Sequence, residues 1–97
     1  MSEWTYHWND EKNETIMRER GVSFEIARYF IENGGLLDIQ DHPNQARYPG
    51  QQIFIVNING YAYRVPFVES GNQRFLKTII PSRRATREYL RSNSDGY

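Results

Sequence analysis

The chain has 97 residues, twelve basic and twelve acidic side chains, a formal net charge of zero and no cysteine; at this length one domain is expected, since a second core would not fit. The lack of cysteine excludes a disulfide framework, a zinc ribbon and a thiol nucleophile. No apolar run approaches the roughly 20 residues that span a bilayer, and Met1 to Asn9 lacks the apolar core of a signal peptide, so no membrane association and a cytoplasmic location are expected.

The zero total conceals a polarity. Residues 1–44 carry nine acidic side chains against four basic ones, and residues 45–97 carry eight basic against three acidic. Such an imbalance supplies a basic face for an anionic partner, or lets the two halves neutralise each other in the fold.

In chain order, Trp4 to Trp8 alternates large aromatic and smaller polar residues, which predicts a short strand with Trp4, Tyr6 and Trp8 on one face. Asn9 or Asp10 caps a helix running to about Arg20, stopped by Gly21, with only Ile16 and Met17 as core residues. Ser23 caps a second helix, whose Ile26, Ala27, Phe30 and Ile31 recur at helical spacing, and Asn33-Gly34-Gly35 ends it. A short apolar patch (Leu36, Leu37, Ile39) precedes a polar loop from Gln40 to Gln52. Next comes the strongest local signal: Gln52 to Ile58 and Tyr61 to Val68 flank Asn59-Gly60, the dipeptide preferred in a hairpin turn whose central residues both need positive φ. A turn at Ser70-Gly71-Asn72 adds a third antiparallel strand from Phe75 to Ile80. In the middle strand Tyr61, Tyr63, Val65 and Phe67 should face one way and Ala62, Arg64, Pro66 and Val68 the other, with Pro66 implying a bulge or a local break in pairing. Pro81 should end the last strand, and Ser82 should cap a basic helix or helical turn bearing Arg83, Arg84, Arg87 and Arg91. Residues 92–97 read as a frayed tail. The expected fold is α+β: a short first strand, two helices, a three-stranded antiparallel meander and a C-terminal helix or helical turn.

For chemistry, His7 and His42 are too few for a histidine-rich metal site, no phosphate-binding loop is present, and no cofactor is expected. A basic and aromatic constellation remains: Arg64, Lys77, Arg83, Arg84 and Arg87, interleaved with Tyr61, Tyr63 and Phe75, residue types that hold phosphates and stack bases of single-stranded RNA. A metal-independent ribonuclease needs little more than a cation on the phosphorane and groups that move two protons. Arg64 and Arg83, with Lys77 nearby in sequence, are the candidates for charge stabilisation; His42, Tyr63 or Glu88 are candidates for proton transfer. Each also has a plain reading: Arg64 as a solvated strand residue, the later arginines as a solvated helix face, His42 as a turn cap, Tyr63 as sheet packing.

Two stretches resemble the BrnT toxins of bacterial type II toxin–antitoxin pairs. Trp8-Asn9, Lys12 and Gly21-Val22-Ser23-Phe24-Glu25-Ile26-Ala27 are similar to that family's opening Trp-Asp, Lys and Gly-Val-Ser-Phe-Glu-x-Ala; Ile79-Ile80-Pro81-Ser82-Arg83-Arg84-Ala85-Thr86 is similar to its Ile-Ser-Ala-Arg-x-Ala-Thr ending. With the hairpins between them they cover about residues 6–90. Asn9 stands in place of the usual aspartate, Arg20 of a histidine, Pro81-Ser82 of Ser-Ala, and Thr78 of an arginine found in many members. The resemblance implies a RelE-like ribonuclease fold and an mRNA substrate. It also implies a small ribbon-helix-helix antitoxin, BrnA-like, through which alone the pair would reach operator DNA. Lys12, Arg20 and Arg83 are the positions it brings nearest the family's active surface, joined as RNA-binding candidates by Tyr63, Arg84 and Arg87.

Overall fold

The Asn-Gly signal marks the centre of the fold. In the computed structural model of the chain, which describes residues 3–91, β3 (Gln52–Ile58) and β4 (Tyr61–Ser70) pair without a slip from Gln52 opposite Phe67 to Ile58 opposite Tyr61. Their turn has φ of 54° at Asn59 and 89° at Gly60, the left-handed pair that this dipeptide tolerates best. Before the hairpin lie β1 (Thr5–His7), α1 (Asp10–Arg20), α2 (Phe24–Glu32) and β2 (Leu36–Asp41). After it come β5 (Gln73–Leu76), β6 (Ile80–Pro81) and α3 (Arg83–Thr86), which runs into one π-helical turn (Arg87–Arg91). The fold is α+β.

The expected meander is the middle of a larger sheet ordered β1-β5-β4-β3-β2, with β6 also on β4. The apolar patch after α2 is the antiparallel edge strand β2, bulged between Leu36 and Asp38. At the other edge β1 pairs in parallel with β5. The last strand is split: β5 pairs with Phe67 to Ser70, residues 77–79 leave the ladder, and β6 rejoins at Tyr63 and Arg64. Pro66 explains the split. On an antiparallel strand a residue's N–H and C=O point to the same neighbour. The Pro66 carbonyl accepts from the Lys77 N–H at 2.8 Å, so its missing N–H falls at the gap between β5 and β6 and leaves the β3–β4 ladder whole. Pro81 ends the strand as expected: it pairs with Tyr63 as the last residue of β6, where a missing donor costs little.

Alternation along β4 runs as read from the sequence and sorts the sheet into two faces. Val65 and Phe67, with Phe54, Val56, Leu76 and Ile79, face α1 and α2 and pack on Ile16, Phe24, Ala27 and Ile31. Phe54 and Phe67 stack with centroids 3.8 Å apart, and a buried ring of this kind contributes on the order of 1.5–3 kcal/mol by leaving water. Trp4, Tyr6 and Trp8 all join this face, as their alternation predicts. Helix α1 is thin in apolar residues: Ile16 is buried, but Met17, expected in the core, is 47 % exposed. What holds α1 is Asn13, whose Oδ1 accepts from the Phe24 N–H at 2.8 Å while its Nδ2 donates to Glu25 Oε1 at 2.7 Å. Gly35 lets the chain leave α2 tightly, since a Cβ there would sit 2.7 Å from the Asn57 carbonyl.

The opposite face is smaller. Ile53, Ile55 and Ala62 pack on Ala85, flanked by Leu37, Tyr89 and Leu90. Ser82 is the cap predicted for this segment: its Oγ accepts from the Ala85 N–H at 3.0 Å. The Thr86 hydroxyl donates to the Ser82 carbonyl and accepts from the Ala62 N–H, both at 2.8 Å, fastening α3 to β4. The expectation for residues 92–97 lies outside the described residues.

Candidate functional site

The C-terminal segment covers only part of the second face, and its margin leaves an open cleft of about 340 Å³. Arg64 stands in it, placed by strand alternation opposite Ile55 on one side and Ile80 on the other. Arg64 is half-buried, and among the described residues no carboxylate lies within ion-pair reach of it. Arg84 forms part of the rim and binds Glu88, four residues on, through Nε–Oε1 at 2.9 Å; both are well exposed, so an incoming anion displaces this pair at small cost.

The far wall is built by a cross-chain cluster. Tyr89 donates its hydroxyl to Asp38 Oδ2 at 2.6 Å, and Gln40 Nε2 donates to both Asp38 Oδ2 and the Tyr89 oxygen at 3.1 Å. Asp38 also accepts from the Ile39 N–H at 2.8 Å. The hydrogen bonds from Tyr89 and then Gln40 hold the Asp38 carboxyl below its ordinary range, and the same bond to Asp38 raises the Tyr89 phenol above its own. Tyr89 is therefore a neutral phenol whose proton is committed to Asp38. It reaches there from the π-helical turn, a widened register often found at functional sites.

Of the residues singled out in the sequence, the cleft brings together Arg64, Arg84 and Glu88. Arg83 and Arg87 are exposed on the same C-terminal segment without lining it. Lys77 is exposed outside it, its Nζ 5.4 Å from the centre of the Phe75 ring. His42 follows β2 beside Pro43, which does line the cleft; its Nδ1 accepts from the Asn44 N–H at 3.0 Å and its ring lies 4.4 Å from Tyr48, the turn-capping role. Tyr63 is set apart, on the helix-covered face against the main core. So are Lys12 and Arg20 on α1, where Arg20 Nη1 donates to the Ile79 carbonyl at 2.5 Å.

Sequence reading misses Asp38, Gln40 and Tyr89. Alternation through Leu36–Asp41 is the available signal for a strand, and the i, i+4 spacing of Ala85 and Tyr89 for a shared buried face; their meeting across 51 residues has none. Among the described residues no three His, Asp or Glu side chains converge to hold a metal ion. No described helix is long and apolar enough to cross a membrane. No protein-family model, curated protein or solved structure matches the chain.

Proposed function

We propose that this chain is the toxin of a type II toxin–antitoxin pair, an endoribonuclease that cleaves mRNA in the cytoplasm without a metal and is held inactive by a small ribbon-helix-helix antitoxin. The observation that supports the reading most is Arg64: a half-buried guanidinium with no carboxylate partner among the described residues, standing in a cleft that Arg84 rims. A half-buried guanidinium without an acid keeps its charge available to an anion, and a phosphodiester is an anion that its planar fork fits. The resemblance of Gly21 to Ala27 and of Ile79 to Thr86 to the BrnT family supplies the biological setting.

In this reading Arg64 and Arg84 clamp the scissile phosphate and neutralise the charge that grows on its equatorial oxygens. Phosphate binding draws Arg84 away from the Glu88 carboxylate, which lines the same cleft. The 2′-oxygen attacks phosphorus, Glu88 takes its proton, the P–O5′ bond breaks and the 5′-oxygen is protonated from water. The products are a 2′,3′-cyclic phosphate and a 5′-hydroxyl. Tyr89, its proton held by Asp38, positions the ribose and takes no proton. Arg83 and Arg87, exposed beyond the rim, serve as outer phosphate contacts.

The test is cleavage of a synthetic mRNA by the purified, partner-free chain in EDTA. Wild-type protein should cut, and Arg64→Ala should slow cleavage on the order of 100-fold, the effect of removing one charged hydrogen bond from the transition state. Intact RNA together with tight binding to the neighbouring gene product would instead favour a non-catalytic interaction module, and binding with steep salt dependence but no cleavage a general RNA-binding domain.

A further inference from the structure

The face that carries Arg64 continues past the cleft as an uncovered strip along β4, β5 and β6. Phe67 and Leu76 are partners in register and both are fully buried against the helices, so the next pair, Val68 and Phe75, points to the opposite face, as Arg64 does. Midway between these rungs the Lys77 N–H bonds the Pro66 carbonyl, and the Lys77 ammonium lies 5.4 Å from the centre of the Phe75 ring on that same side. Arg64 with Ile80, then Lys77, then Phe75 are thus successive stations along one line on this face. Strand geometry puts the outermost stations, four residues apart on β4, roughly 13 Å from each other. Phe75 is 39 % exposed and Ile80 41 % exposed.

We infer that Phe75 and Lys77 form a second subsite, in which the exposed ring stacks on an unpaired base and the ammonium contacts the adjoining phosphate of a single-stranded polynucleotide whose next phosphates lie in the Arg64 cleft. This rests on the reading of that cleft as an RNA site and adds to it the class of substrate: single strands, because a base already stacked and paired in a duplex has no face to offer Phe75. The order of charge and ring supports a polynucleotide over an acidic peptide, since cation, cation and aromatic face follow one another along a single line. Tyr61 and Tyr63, the other aromatic candidates, pack edge to face with centroids 5.7 Å apart and point to the opposite side.

Fluorescence anisotropy with a labelled 2′-O-methyl RNA, which cannot be cleaved, tests the subsite. The probe is single-stranded and about 12 nucleotides long, within common single-strand site sizes. Phe75→Ala should weaken binding about tenfold, in the range of one base stack, and Phe75→Trp should bind at least as tightly as wild type. Lys77→Ala should weaken binding a few-fold and reduce the slope of log affinity against log salt by about 0.7, the share of one phosphate. Phe75→Leu keeps the apolar packing and removes the ring face, and it should behave as Phe75→Ala even if the smaller residue disturbs folding. Unchanged affinity in Phe75→Ala and Phe75→Leu overturns the subsite while leaving the cleft to its own cleavage test. So does equal affinity for the same sequence as a duplex, or displacement by a polyglutamate peptide as readily as by RNA. A tenfold loss in Phe75→Ala beside no effect of Arg64→Ala keeps the subsite and removes the cleft reading; a wild-type chain that binds no single strand overturns both.

Discussion

Arg74 on β5 and Arg64 on β4 belong to adjacent strands and opposite faces of one sheet, and their surroundings differ in every respect that matters to a guanidinium. Arg74 is only 9 % exposed. Its Nε meets Glu69 at 3.0 Å, its Nη1 donates to the Tyr6 hydroxyl at 3.0 Å, and its Cζ lies 3.7 Å from the centre of the Trp4 ring. Its charge, two of its donors and its π-face are used inside the protein, and the result ties β1 to β4 and β5. Arg64 is half-buried with no acid near it among the described residues. The basic excess of residues 45–97 is thus divided by the pleat: one arginine is absorbed as structure on the helix-covered face, and the other is left with its charge available on the open face.

The contrast can be broken by removing each residue in turn. The largest stability effect is expected for Arg74→Ala, which leaves Glu69 and the Tyr6 hydroxyl without their partner; a loss of about 3 kcal/mol should appear in urea unfolding. Gly60→Ala comes next, because a side chain at φ 89° strains the central hairpin, and about 1 kcal/mol should be lost in the same assay. Tyr89→Phe should cost a smaller amount, with a pH signature. The Tyr89 pKa is raised in the folded state by its bond to Asp38, so that contribution is complete below the ordinary tyrosine range of about 10 and is lost as pH rises through the raised value. The Asp38 pKa is lowered, so its contribution is complete above the ordinary aspartate range of about 3.9 and is lost as pH falls through the lowered value. Because one bond causes both shifts, thermal unfolding against pH should show an alkaline step in wild type that is absent from both Tyr89→Phe and Asp38→Asn, and an acid step, to which Glu25 also contributes, that is smaller in both variants. The smallest stability effect, within about 0.5 kcal/mol, belongs to Arg64→Ala, since it has no carboxylate partner among the described residues to lose; that substitution should be felt in RNA affinity and cleavage instead.

Most of the architecture is legible in the sequence because local chemistry and the fold agree. Asn9, Ser23 and Ser82 cap the helices they precede, Gly21 stops α1 with φ of 72°, and the alternation of β4 sorts its side chains as read. What stays hidden depends on pairings that sequence separation conceals. The parallel β1–β5 pairing and the edge strand β2 require long-range register, and Met17 departs from expectation because apolar character alone does not say which side of a poorly amphipathic helix is covered. The site is legible in part. Arg64, Arg84 and Glu88 converge, while Tyr63, Lys12 and Arg20 fall on the helix-covered side, since adjacent strand residues point to opposite faces and α1 packs on only one of them. Asp38, Gln40 and Tyr89 escape a linear reading because their meaning comes only from one another.

In the proposed function the open face of the sheet is the surface that meets nucleic acid, and amide chemical-shift mapping during titration with a non-cleavable single-stranded RNA measures that directly. The perturbed amides should cluster at Arg64, Phe75, Lys77, Ile80, Arg84 and Tyr89 and spare α1 and α2. Perturbations centred on α1 and α2, with the amides around Arg64 unmoved, would contradict the proposed function.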